Sequence, residues 1–71
     1  MCLIDLKGGE TVVIESINAG TAAQKRLADL GVSVGKEIKA LNVLLYGPVQ
    51  IESSGSSLIL GHGIASKIIV K

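Results

Sequence analysis

The feature that most constrains the fold of this chain is a series of short β-branched runs, each followed closely by a turn signal. Ile, Val and Leu fill 25 of the 71 positions, Phe and Trp are absent, and Tyr46 is the single tyrosine. Branched aliphatic side chains favour strands because two heavy atoms on Cβ fit a pleated surface. The pattern predicts a mainly β protein in which residues 1–71 form a single domain.

Five strands are predicted, together with one helix and a single helical turn at residues 61–66. Gly, Pro, Asn and Ser clusters separate these segments. Several short strands with close turn signals indicate a small, strongly bent sheet, and closure of such a sheet removes its exposed edges. The sequence therefore predicts a small five-stranded SH3-like barrel with one inserted α-helix. The predicted strands are Thr11–Ile17, Glu37–Leu45, Val49–Ser53, Leu58–Leu60 and Lys67–Val70.

The inserted helix is predicted at Thr21–Leu30. Thr21 and Gln24 fit a capping box, in which each side chain satisfies a backbone N–H at the helix start. Gly31 is placed to end the helix in a left-handed conformation. A helix of about ten residues is not stable alone in water, so its narrow apolar stripe is expected to pack on the sheet. The stripe consists of Ala23, Leu27 and Leu30.

Charge and hydropathy exclude several classes of protein. A net charge of +1, from seven basic and six acidic residues, gives no long-range field that would steer the chain to a polyanion. No apolar run approaches the ~20 residues that a membrane helix requires, and no signal peptide is visible. Cys2 is the only cysteine, so no intramolecular disulfide can form. We expect a cytoplasmic protein that neither binds nucleic acid nor inserts into a membrane.

Four glycine-containing motifs follow one another along the chain. They are L-x-x-L-x-x-G-E at residues 3–10, R-L-x-x-L-G at 26–31, G-P at 47–48 and L-G-x-G-h-A-x-x-I-x-V at 60–70, where h is apolar. In this order and spacing they resemble the FeoA family, the ferrous iron transport protein A domain. Val34 stands where a proline is common in that family, and His62 stands where a basic residue is frequent.

The resemblance implies an SH3-like fold, a cytoplasmic role and a partner protein. The implied partner is FeoB, the membrane ferrous-iron transporter, through its cytosolic GTP-binding domain, whose GTPase cycle the small protein would tune. The same domain occurs at the C-terminus of metal-dependent repressors of the DtxR type. Because this sequence contains no DNA-binding helical region, the free-standing accessory protein is the better match.

Two features predict where a partner binds, and the first is a basic spot on the helix. Lys25 and Arg26 lie next to each other on the face opposite the apolar stripe, where they would meet an acidic partner surface. The alternative is that both are ordinary solvated charges, with Lys25 beside Asp29 one turn later. The stem of Arg26 would in addition cover apolar surface next to Leu27.

The second feature is the stretch Leu41–Tyr46, which is apolar on both faces of the predicted strand. A barrel this small cannot bury both faces, so Leu41, Val43 and Leu45 are expected to point outward and to form an interface. The alternative is a bulge that redirects these residues into the core. We expect this hairpin to contact a partner or a second copy of the chain. The predicted partner-binding residues are Lys25, Arg26, Leu41, Val43, Leu44, Leu45 and Tyr46.

No catalytic, cofactor-binding or metal-binding residue is predicted. Cys2 and His62 lie 60 positions apart and do not make the three or four clustered ligands of a zinc site. The single histidine has no orienting partner, and Gly61–Gly63 lacks the P-loop pattern. Two alternative functions stay open: a nucleic-acid-binding SH3-like module, which would need stacking aromatics, and a metal-sensing domain, which would need a ligand set.

Overall fold

The computed structural model describes all residues from Met1 to Lys71. Its five antiparallel strands form one sheet in the order β4-β3-β2-β1-β5, and an α-helix is inserted after the first strand. This arrangement confirms the mainly β, SH3-like prediction. The elements are a 3-10 turn (Leu3–Asp5), β1 (Thr11–Ile17), α1 (Thr21–Asp29), β2 (Glu37–Val43), β3 (Val49–Ser53), β4 (Ser56–Leu60), α2 (His62–Ala65) and β5 (Ile68–Val70).

The sheet encloses its core without a strand ladder between its two outer strands. β4 and β5 stand at opposite ends of the strand order, and the helical turn α2 connects them. The closure that the sequence suggested is therefore not made by strand pairing: the helical turn α2 links the two outer strands, and the 3-10 turn contacts α2 and β5. Neither helix has the length and hydropathy that crossing a bilayer demands.

The core is built from aliphatic side chains of every strand. The strand β3 shows the alternation most clearly, since Val49 and Ile51 are fully buried and Ser53 follows them inward. The 3-10 turn adds Leu3 and Leu6, which places the N-terminal lead-in within the core. The buried hydrophobic residues are Leu3, Leu6, Ile14, Ile17, Leu27, Val32, Ile38, Ala40, Val49, Ile51, Leu60, Ala65, Ile68 and Val70.

The N-terminal end of α1 differs from the prediction, whereas its C-terminal end agrees with it. Gly20 is the N-cap residue, with extended backbone and no side-chain cap, so the predicted Thr21–Gln24 capping box is wrong. Thr21 already belongs to the helix, and the Gln24 side-chain Nε2 donates to the carbonyl oxygen of Ala19 at 2.8 Å. A glycine that reaches the N-cap conformation at low cost displaces the threonine from that position.

The C-terminus of α1 forms a Schellman motif around Gly31, as its position predicted. Gly31 has φ +89°, and its N–H donates to Ala28 at 2.9 Å. The N–H of Val32 donates to the carbonyl of Leu27 at 2.8 Å. Both side chains of that last pair are buried, which is the apolar contact that accompanies this motif. The helix is thereby held to the core through Leu27 and Val32.

The strand β2 contains a bulge at Leu41. Ala40 pairs with Ile51 and Asn42 with Gln50, so Leu41 is an extra residue opposite β3. The strand ends at Val43, two residues before the predicted end. The prediction that Val43 points outward is wrong, because Val43 is half-buried and packs against the core. Leu41 is half-buried and is not among the residues that pack against the core. A bulge shifts the alternation by one residue, and this is the alternative that the sequence had left open.

Both ends of the chain are hydrogen-bonded into the sheet beside β1 and β5. The N–H of Val70 donates to the carbonyl of Met1 at 2.7 Å, and Cys2 forms an isolated bridge with Ile69. At the other terminus, Lys71 and Val13 exchange two backbone hydrogen bonds of 3.0 Å. The outer edge of β5 is therefore covered by the N-terminal residues.

Candidate protein-interaction surface

An apolar groove lies between α1 and the segment that joins β4 to α2. It has a volume of about 230 Å³ and is open to solvent along one side. Its floor is made by Leu27 and Leu60, which belong to the core, while Leu30 and Ile59 at its walls are 53% and 68% exposed. Large aliphatic side chains at such exposure are typical of surfaces that another molecule covers. The groove residues are Ala23, Arg26, Leu27, Leu30, Ile59, Leu60, Gly61 and Ile64.

The shape of the groove follows from the way α1 ends. The left-handed turn at Gly31 carries the chain away from the helix axis, so Leu30 is left without a following turn to cover it. The carbonyl of Gly31 accepts a hydrogen bond of 2.8 Å from the buried Ser53 hydroxyl. This bond joins the end of α1 to β3 and fixes one end of the groove wall.

Arg26 supplies the charge of the groove. It is the single charged residue of the lining, and its side chain is exposed. The predicted contribution of its stem to apolar surface agrees with this position. Lys25 is also exposed but does not line the groove. A guanidinium beside an apolar cleft offers a carboxylate a planar, paired set of donors, so this charge favours an acidic group on whatever lies in the groove.

The second apolar surface is the tip of the β2–β3 hairpin, which we call the apolar tip and define as Leu44, Leu45 and Tyr46. These side chains are 49%, 86% and 81% exposed. The prediction that Leu45 points outward is confirmed. The tip is a four-residue turn closed by the N–H of Gly47 donating to the carbonyl of Leu44 at 3.2 Å.

Tyr46 adopts an unfavourable backbone conformation at this turn. Its φ is +59°, a left-handed value that glycine and asparagine adopt readily and bulky residues rarely do. Left-handed backbone costs an L-residue with a Cβ about 1–2 kcal/mol. Residues held in this way cluster at functional sites, and here the turn keeps a tyrosine ring in solvent at the expense of stability.

His62 connects the apolar tip to the groove. The rings of Tyr46 and His62 have centroids 6.0 Å apart and planes inclined at 58°. His62 begins α2, whose neighbouring residues Gly61 and Ile64 line the groove. The Nδ1 atom of His62 is buried and has no hydrogen-bond partner. The tip, the histidine and the groove thus form one continuous surface across the end of the molecule.

The side chains of this surface offer apolar contact area, the Arg26 cation, the Tyr46 ring and the His62 imidazole. No three His, Cys, Asp or Glu side chains of the molecule lie close enough together to hold a metal ion. The hydroxyl nearest to His62 along the chain, that of Ser66, donates to the carbonyl of Gly63 at 2.8 Å and is occupied there. Apolar surface with an aromatic ring and an arginine is the composition that protein interfaces favour at their centre.

The structure brings together some of the predicted residues and adds others. Arg26 and the apolar tip belong to the continuous surface formed by the groove, His62 and the tip, whereas Val43 packs against the core and Leu41 is half-buried in the bulge of β2. Sequence reasoning missed Leu30, Ile59 and Ile64. A period of two in Leu58–Leu60 could have indicated Ile59, since Leu58 and Leu60 face the core and place the residue between them outside. Leu30 and Ile64 meet only through tertiary contacts.

Comparison with known proteins agrees with this architecture. The sequence matches the family model of the FeoA domain along residues 1–71. A Methanocaldococcus jannaschii protein provisionally named Fe(2+) transport protein A is 38% identical over 65 residues, which make up 92% of this chain and 78% of that protein.

Solved structures share the fold. The FeoA protein from Chlorobium tepidum is 32% identical, with a TM-score of 0.87 over 99% of this chain and 68% of that one. A crystal structure described as an iron uptake regulatory protein (FeoA) is 25% identical, with a TM-score of 0.92 over 100% of this chain and 95% of that one.

A more distant likeness bears on the repressor alternative. A manganese-dependent transcriptional repressor is 20% identical, with a TM-score of 0.84 over 96% of this chain and 39% of that one, and this shows the fold alone. The family is established by the sequence match over residues 1–71 together with the curated relative. The chain belongs to the FeoA domain family.

Proposed function

We propose that this chain is a cytoplasmic accessory protein of ferrous iron transport that binds the membrane transporter FeoB through its cytosolic GTP-binding domain. Membership of the FeoA family and the name of the M. jannaschii relative support the role in iron transport. Iron is here the cargo of the transporter and not a ligand of this chain. The work of the small protein is done by contact, without catalysis.

We expect the partner to contact the apolar tip, because its side chains are exposed. Leu45 and Tyr46 are almost fully exposed, and Tyr46 is held there in a strained turn. Burial of one such side chain contributes roughly 1.5–3 kcal/mol, so a few of them suffice for a specific complex. The tip would enter an apolar recess on the partner, and the groove beside it would take an apolar side chain next to a carboxylate that pairs with Arg26.

An effect on the GTPase cycle follows if the partner changes shape at this interface. A binding protein shifts a conformational equilibrium only by the difference in its affinity for the two states. We therefore expect the affinity for the GTP-binding domain to differ between its GDP-bound and GTP-bound forms. Lys25 lies outside the groove on the same helix and would contribute long-range attraction to acidic partner surface more than contact.

The experiment is calorimetric titration of the FeoB GTP-binding domain with the wild-type chain and with the double variant Leu44→Ser, Leu45→Ser. Loss of two leucine contacts is expected to weaken binding at least about a hundredfold. The melting temperature should change little, because both side chains are exposed. The control is Val34→Ser, which removes a 60% exposed apolar side chain from the α1–β2 connection and should leave the affinity unchanged.

Unchanged affinity of the double variant would contradict the assignment of the tip, and unfolding of the variant would show that the tip belongs to the core. Self-association through the Leu41–Tyr46 hairpin is the second candidate for this surface, favoured by the same exposed apolar residues. Sedimentation of the wild-type chain and the double variant separates the two, since only self-association lowers the apparent mass when the tip is changed.

A further inference from the structure

The two outer strands of the sheet differ in what covers them. The edge of β5 is bonded to the N-terminal residues Met1 and Cys2. The edge of β4 has no such cover: none of the backbone hydrogen bonds outside the strand ladders involves Ser57 or Ile59. The segment Ser56–Leu60 also contains no charged residue and no proline, which are the usual devices that prevent an edge from pairing.

The register of the β3–β4 hairpin decides which groups of β4 point outward. Ser54 and Gly55 both have positive φ, which makes a two-residue turn whose closing pair, Ser53 with Ser56, is hydrogen-bonded. Opposite residues in an antiparallel ladder alternate between hydrogen-bonded and non-hydrogen-bonded pairs. The pairs Glu52–Ser57 and Gln50–Ile59 are therefore non-hydrogen-bonded, and the N–H and C=O groups of Ser57 and Ile59 face away from β3.

We infer that β4 pairs with the β4 strand of a second copy of this chain, antiparallel, around a two-fold axis at Leu58. Ser57 and Ile59 flank Leu58 symmetrically, so this register sets Ser57 of each copy opposite Ile59 of the other. All of their outward N–H and C=O groups are then paired. The inference does not depend on the proposed binding of FeoB. It concerns the backbone edge of β4 and not the Leu41–Tyr46 hairpin, although Ile59 also lines the groove beside α1.

Three observations favour a second copy as the occupant of this edge. The segment Ser56–Leu60 is uncharged, and the whole chain carries a net charge of +1, so two copies approach without strong repulsion. The Ile59 side chains, 68% exposed in the monomer, come to lie on one face of the joined sheet and cover each other in part. Because β5 is already covered, pairing ends at a closed two-fold dimer and does not continue into a filament.

The strength of this dimer is limited by its size. An edge of five residues buries much less than the ~1,600 Å² of a standard stable interface. We therefore expect a dissociation constant of roughly 100 µM, so that the dimer forms only in concentrated solution or where partners gather several copies.

The test is sedimentation equilibrium of the full chain up to about 1 mM, with five variants, of which Leu45→Ser tests the apolar tip. Ser57→Pro removes a donor that β3 does not use, so the fold should persist while the dimer weakens at least about tenfold. Ser57→Ala keeps the N–H and should dimerise as the wild type does. Ile59→Lys sets two cations close to the axis and should also give a monomer. Val34→Lys, the same change at an exposed site elsewhere, should not.

Amide hydrogen exchange on the wild-type chain gives a readout that needs no variant. The amides of Ser57 and Ile59 should become protected as concentration rises, while Tyr46 should not change. A wild-type chain that stays monomeric at about 1 mM overturns the inference. A dimer that survives Ser57→Pro and Ile59→Lys also overturns it. If Leu45→Ser removes the dimer, self-association belongs to the apolar tip and the inference is wrong.

Discussion

The two hairpins that share β3 end in turns of opposite character. The β3–β4 turn is Ser54–Gly55, a small polar residue and a glycine at the two positions with positive φ. The β2–β3 turn places Leu45 and Tyr46 at its centre, and its positive φ falls on the tyrosine. The first turn has the small polar and glycine residues that are usual in turns, and the second has bulky apolar residues instead.

This difference separates a turn that serves the fold from a turn that, under the proposed function, serves a contact. Both hairpins share β3, but β2 carries the bulge at Leu41, whereas β4 pairs with β3 in regular register. A glycine or asparagine at position 46 would relieve the backbone, and a polar pair at 44 and 45 would suit the solvent. The turn instead presents large apolar side chains to solvent, and residues in such strained conformations cluster at functional sites.

The largest effect is expected where the two hairpins are joined. Ile51→Ala in β3 removes a fully buried side chain and should lower the free energy of unfolding by about 2–5 kcal/mol. Both hairpins should be destabilised together, because they share β3. Urea denaturation measures this change. Glu52→Ala, next to it on the exposed face, should stay within about 0.5 kcal/mol. A cost below about 1 kcal/mol for Ile51→Ala would show that the two hairpins do not depend on one core.

A smaller effect is expected at the turn that serves the fold. Gly55→Ala puts a Cβ on a residue with φ +80° and should cost about 1–2 kcal/mol through backbone strain, since the space around it is open. Binding of FeoB should not change. The matched control is Gly63→Ala in α2, where the glycine is also in open space but has no positive φ. The melting temperature of this variant should equal or exceed that of the wild type. Equal losses at both glycines would contradict the strain argument.

The smallest effect, of opposite sign, is expected at the turn that serves the contact. Tyr46→Gly relieves left-handed strain but adds freedom to the unfolded chain, so a net stabilisation of about 0.5 kcal/mol is expected. The same variant should bind the FeoB GTP-binding domain more weakly by calorimetry. Tyr46→Phe keeps both ring and strain and should match the wild type in both measurements. Weaker folding of Tyr46→Gly would mean that the ring stabilises the monomer.

The sequence predicted a helix, strand or turn correctly where one local signal, such as a β-branched run or a glycine at a helix end, was sufficient. The β-branched run of β1 and the alternation of Val49, Ile51 and Ser53 gave their strands directly. Gly31 ended α1 because the left-handed position of a Schellman motif favours glycine. The prediction failed at Thr21, where two residues competed for one N-cap position and the glycine before it took that place.

The interaction surface was predictable only in part, because it depends on contacts between distant segments. The apolar tip was visible as an excess of leucines in one stretch, but the bulge at Leu41 depends on how β2 pairs with β3. The groove joins residues 23–30 with residues 59–64, which lie at least 29 positions later in the chain. No periodicity within one element brings Leu30 and Ile64 together, and for this reason the groove required the folded structure.

The bond between the carbonyl of Met1 and the N–H of Val70 means that the two chain termini are spatial neighbours. A domain whose termini are adjacent can be inserted into a loop of another protein, or circularly permuted, without moving its strands. Joining residues 71 and 1 by a few glycines and opening new termini between Ser54 and Gly55 should yield a circularly permuted chain with the same sheet.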